Sequence, residues 1–129
     1  MNPKQFLQIG GAILLVLGLI GYAGVFSDPK SFFYLTAGEN LAHTVLGVVA
    51  LAASRLLKDA MAQKWLVALV GATALFFGLY TLAVQGNPVP NTWGVANLES
   101  PADLVLHVVV GLWAFYAAFV GRTAAPATA

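Results

Sequence analysis

The chain has 129 residues, 60% of them hydrophobic and only 9% charged, with a mean hydropathy of +0.83 and a net charge of +1. Soluble domains carry about 25% charged residues, so this composition does not cover a water-exposed surface, and the chain reads as a membrane protein. With no cysteine, thiolate metal sites, iron–sulfur ligation and disulfides are excluded.

A membrane-crossing helix needs roughly 20 residues for about 30 Å of hydrocarbon. Four segments meet that length, at about residues 6–26, 37–57, 65–85 and 102–120. They predict an all-α membrane fold, a four-helix transmembrane bundle forming one domain over residues 1–122. The first segment, Phe6 to Phe26, has an apolar run longer than the 7–15 residues of a signal peptide, and reads as a retained span. After it, Ser27 to Leu35 holds Asp28-Pro29 and the aromatic run Phe32-Phe33-Tyr34, suited to the headgroup belt. The second span enters through a polar lead from Thr36 and ends at Leu57. Trp65 to Gln85 follows, then a loop from Gln85 to Glu99 with Gly86, Pro88, Pro90 and Trp93-Gly94. It reads as an irregular lid over the bundle end. Ala102 to Val120 is the fourth span, and the small, polar tail Thr123 to Ala129 reads as disordered.

Charge sets the orientation. Lys4, Arg55, Lys58, Lys64 and Arg122 share one side and only Lys30 lies on the other. By the positive-inside rule both termini are cytoplasmic. Asp28, Glu39, Glu99 and Asp103 then gather at the outer face, where both histidines also lie.

Two stretches copy each other at a shift of 64 residues. Thr36, Glu39, His43 and Gly47 superpose on Ser100, Asp103, His107 and Gly111, and Ala50 on Ala114. Spans 1 and 3 also match, Gly11-Ala12 with Gly18 over Gly71-Ala72 with Gly78. Two tandem helical hairpins related by a pseudo-two-fold axis along the membrane normal account for this. Spans 2 and 4 would then run parallel and place His43 and His107 at one depth. The small stripes below each histidine predict that spans 2 and 4 touch along them, since small residues let helices approach closely in lipid.

The polar cluster has two readings. Thr36 and Glu39, like Ser100 and Asp103, are three apart, the spacing of a helix capping box, with Pro101 in the first turn. Glu39 and His43, like Asp103 and His107, are four apart and share a helix face. Two nitrogens and two oxygens at one depth suit a divalent metal, Zn²⁺ or Cu²⁺. Two histidines also suit haem, with the glycines making room for a flat ring, and one histidine suits a chlorophyll-type pigment. Asn40 has no counterpart in the second copy, where Leu104 stands. No nucleophile with a base, phosphate loop or nucleic-acid surface is present.

These residues resemble a group of small bacterial four-span membrane proteins classed only as a domain of unknown function. Its members open the second span with His-Asn-x-x-His and a Gly four later, and the fourth with Asp-x-x-Leu-His and another Gly. Asn40, His43 and Gly47 match the first motif; Asp103, Leu106, His107 and Gly111 match the second. Glu39 stands in place of the first His. The resemblance implies the fold, a place in a bacterial inner membrane and a recurring polar cluster, and no known activity. Three functions follow: a non-catalytic protein binding a divalent metal through Glu39, His43, Asp103 and His107; a structural accessory subunit; or a haem- or pigment-binding component. Its expected partners are the lipid bilayer, further copies of the chain, or a larger membrane complex.

Overall fold

The computed structural model describes residues 1–121. Arg122, counted in the charge bias, and the tail 123–129, expected to be disordered, lie outside the described residues. The helices are α1 (Pro3–Tyr22), α2 (Ala37–Leu56), α3 (Ala60–Val84) and α4 (Ala102–Phe115), the last continuing as a π-helical turn over Tyr116–Val120.

Local chemistry sets each boundary. Asn2 accepts from the Gln5 N–H at 2.9 Å, and the Gln5 side chain accepts from the Asn2 N–H at 3.0 Å. This box, with Pro3 in the first turn, starts α1 ahead of its apolar run. At the other end Gly24 takes φ 84°, and the N–H groups of Gly24 and Val25 bond to the carbonyls of Gly21 and Ile20 at 3.0 and 3.3 Å. That Schellman closure ends α1 at Tyr22, four residues before the expected Phe26. Asp59 accepts from Met61 and Ala62 at 3.0 and 3.2 Å. It starts α3 at Ala60 rather than Trp65, leaving a turn of only Leu57 to Asp59. Gln63 Nε2 closes that turn on the Leu57 carbonyl at 2.6 Å.

α1 packs on α2 and α3 on α4, as two hairpins. Each pair approaches through glycine. A Cβ on Gly11 would lie 3.0 Å from Ala50 Cβ and 3.1 Å from the Gly47 carbonyl oxygen. On Gly71 it would lie 3.1 Å from Ala114 Cβ and 3.2 Å from the Gly111 oxygen. The small stripes of α2 and α4 therefore face α1 and α3, which corrects the expectation that spans 2 and 4 meet along them. The same contacts fill the space expected for a flat cofactor: Gly47 abuts Leu15 and Gly11, and Gly111 abuts Leu75 and Gly71.

The hairpins join around Phe6, Leu7, Val67, Ala68, Ala114, Ala117 and Ala118, near the chain's start. Phe6 meets Trp113 edge-on at 4.6 Å between centroids. Outside this core, Ile13, Val16, Val45, Leu69, Leu79, Val109 and Leu112 are exposed, an apolar girdle that suits lipid contact. Among the described residues, three helices are long and apolar enough to cross a membrane: Pro3–Tyr22, Ala60–Val84 and Ala102–Val120. α2 matches α1 in length but falls short of that apolarity, because it carries Glu39, Asn40, His43 and Arg55.

Candidate functional site

Glu39 and Asp103 are both buried, at the starts of α2 and α4. Both carboxylates are engaged by backbone. Glu39 Oε2 accepts from the Thr36 N–H at 2.8 Å, and Thr36 Oγ1 accepts from the Glu39 N–H at 3.2 Å. The expected capping box on α2 is formed. The Thr36 hydroxyl proton is shared between Glu39 Oε2 at 2.7 Å and the Val95 carbonyl at 2.9 Å, which ties the outer loop to α2.

On α4 the expected box between Ser100 and Asp103 does not form. Pro101 occupies the cap position and has neither a hydroxyl nor an N–H to exchange. Asp103 Oδ2 reaches instead to the Glu99 N–H at 2.6 Å, while the Asp103 N–H bonds to the Glu99 carbonyl at 2.8 Å.

Neither histidine hydrogen-bonds to the carboxylate four residues before it. His107 Nδ1 lies 2.8 Å from the backbone carbonyl of Asp103, with the nearest carboxylate oxygen at 4.0 Å, too far for a hydrogen bond. Its ring sits 6.3 Å from that of Phe77. His43 Nδ1 is buried with no partner among the described residues. Across the two hairpins, His43 lies within electrostatic reach of His107, and Glu39 within reach of His107 and Asp103. Among the described residues, no three His, Asp or Glu side chains form a group able to hold a metal ion.

Asn40 turns away from this cluster. It is buried against α1 at Gly21, where a Cβ would run into its amide. It thus packs α2 against α1. Its Oδ1 has no hydrogen-bond partner among the described residues.

Residues not singled out in the sequence complete the site. The loop folds back on itself through Thr92 and Ala96, which exchange backbone bonds at 2.9 and 3.2 Å. Trp93 and Gly94 turn the corner at φ 50° and 71°. Asn91 pins the loop's return, giving Nδ2 to the Leu98 carbonyl at 2.8 Å and accepting from its N–H at 2.9 Å. In the Pro88–Trp93 part, Trp93 stacks on Tyr80 of α3 at 5.6 Å and meets Phe77 edge-on at 6.0 Å, the ring that lies beside His107. Val95 seats on α2, where Gly38 leaves room for its carbonyl. The paired asparagines Asn91 and Asn97 were the available signal.

A cavity of about 500 Å³ opens beside this loop, lined by Gln85, Asn87, Asn91, Asn97 and Glu99 among others, and by none of the four cluster residues. Asn97 Nδ2 donates to Glu99 Oε1 at 2.9 Å. Partial burial pushes the Glu99 carboxyl above the usual carboxylate range.

No family model, curated protein or solved structure matches this chain. The functional reading therefore rests on the geometry of its own residues.

Proposed function

We propose that the protein is a four-span membrane protein with a structural, non-catalytic role, an accessory subunit whose buried polar cluster holds two hairpins and their outer loop in register. One observation carries this reading: both carboxylates are committed to backbone N–H groups, Glu39 to Thr36 and Asp103 to Glu99. A buried carboxylate that gives up such a bond leaves an unsatisfied N–H, at about 1–3 kcal/mol, so ligation of a metal by these oxygens competes with the fold. α2 is the fourth span in this reading. It lies along α1 through glycine contacts at Gly11, Gly18 and Gly47, and its polar side chains are turned inward or kept near its ends. Duplication of an ancestral hairpin accounts for the matched contacts in the two halves, and for the four-span group that the chain resembles.

An even number of spans puts both termini on the side richer in Lys and Arg, the cytoplasmic side. A reporter fused after Ala129 should be active in the cytoplasm, and one inserted after Gly86 outside. Opposite placement of the C-terminal reporter would remove α2 as a span.

His43 supports a second reading. Its Nδ1 is buried with no partner among the described residues, and His107 lies within electrostatic reach; an ion held there would have the two imidazoles as its donors. Two nitrogens fall short of the three or four protein ligands of a zinc site, and such an ion would need further ligands from outside the cluster. Metal analysis of the purified protein separates the two readings.

A further inference from the structure

We propose that the cleft between the starts of α1 and α3 binds the headgroup of an anionic phospholipid, a phosphodiester without a balancing ammonium group. The proposal rests on the membrane-spanning reading above and concerns the end of the bundle opposite the polar cluster. The cleft encloses about 380 Å³ and is lined by Pro3, Lys4, Met61, Gln63, Lys64 and Ala118 among others. Its walls are mostly apolar, with Asn2 and Gln63 as polar members, and among the described residues its two charged side chains are both cationic. Lys64 is held in place, its Nζ 4.9 Å from the ring centroid of Phe119 and 6.0 Å from that of Trp65. Those rings sit edge-to-face with each other at 6.1 Å.

Position and charge both fit a lipid phosphate. α1 and α3 begin here, so the cleft lies at the membrane boundary, where headgroups lie. Two helix starts add positive potential at the same place, although Asn2 and Asp59 already bond their first N–H groups. Among the described residues Asp59 is the carboxylate of this end; it caps α3 through the N–H groups of Met61 and Ala62 and does not itself line the cleft. Basic pockets between membrane helices are suited to anionic headgroups, at about 1 kcal/mol per Lys or Arg. Phosphatidylcholine carries the same phosphate, but its own ammonium group would oppose the two lysines. Selectivity for phosphatidylglycerol over phosphatidylcholine follows.

The test is native mass spectrometry of the detergent-solubilised full chain, titrated with phosphatidylglycerol, phosphatidylcholine or sodium phosphate. Parent protein should retain phosphatidylglycerol in preference to phosphatidylcholine. Lys4→Gln/Lys64→Gln should weaken phosphatidylglycerol about 25-fold, roughly fivefold per lysine, and leave phosphatidylcholine unchanged. Arg55→Gln/Lys58→Gln, at the same end but outside the cleft, should match the parent. Should the double variant fail to fold, Lys4→Gln alone at an exposed position should show the fivefold loss. Equal retention of both lipids, no loss in the cleft variants, or an equal loss in the Arg55/Lys58 variant would overturn the site. Competition by sodium phosphate would make it a free-anion site, and a dimer that excludes lipid would make it a subunit contact; either result refutes the lipid proposal. A protein that stays soluble without detergent would refute the membrane reading itself.

Discussion

Alanine placed at three glycines of the bundle should give three different outcomes, because each new methyl meets a different obstacle. At Gly47 the Cβ would lie 2.5 Å from the Leu15 backbone nitrogen and 2.8 Å from both Leu15 Cα and the Gly11 oxygen. All three are backbone atoms of α1, so relief requires the helices to move apart. At Gly111 the nearest atoms are Leu75 Cγ and Cδ2, at 2.6 and 2.7 Å, with the Gly71 oxygen next at 3.1 Å. A leucine side chain can change rotamer where a helix backbone cannot. At Gly10 nothing lies closer than 3.9 Å. Overpacking costs about 1–3 kcal/mol, against a gain of about 1 kcal/mol from replacing glycine by alanine inside a helix. Gly47→Ala, at the upper end of that range, should therefore lose about 2 kcal/mol net, Gly111→Ala no more than about 1 kcal/mol, and Gly10→Ala should be neutral or stabilised. Equilibrium unfolding in detergent, followed by circular dichroism, reads all three. A Gly47→Ala variant as stable as the parent would refute the close approach of α1 and α2. If Gly111→Ala cost as much as Gly47→Ala, the distinction between backbone and side-chain obstacles would fail.

Thr36→Val keeps the shape of the side chain but removes the cap of α2 and the hydroxyl bond to Val95. It should cost about 0.5–2 kcal/mol and speed amide exchange at Thr92 and Ala96; unchanged exchange would detach the loop from α2. The Glu99 carboxyl is raised in the folded state, so its contribution is fully present at low pH and is lost as pH rises through the carboxylate range. Glu99→Gln keeps an oxygen for the Asn97 amide and should gain stability relative to the parent over that rise. A constant difference between the two across the range would contradict the burial argument.

Much of the architecture could be read from hydropathy, since four apolar stretches became four helices. Their ends could not, because Asn2 and Asp59 extend α1 and α3 into polar sequence, and hydropathy does not register a cap. Partner choice was also hidden. A stripe such as Gly47 and Ala50 announces a close neighbour without saying which helix it is. The answering signal was present in Gly11, Gly18, Gly71 and Gly78, whose spacing matches the stripes of the helices they face. In the polar cluster, the Thr36–Glu39 spacing gave the cap that forms. The Ser100–Asp103 spacing misled, because Pro101 takes the cap position and Asp103 turns to Glu99. The seating of Val95 on Gly38 joins segments 57 residues apart, and no local pattern encodes it.

Metal content of the protein, purified from membranes without chelator, tests most directly whether the buried carboxylates cap helices or hold an ion. Elemental analysis should be made on the parent and on His43→Ala. The structural account predicts well below one equivalent of any transition metal in both, with no visible absorbance. One equivalent of zinc or copper in the parent, lost in His43→Ala, would contradict it and establish the cluster as a metal site.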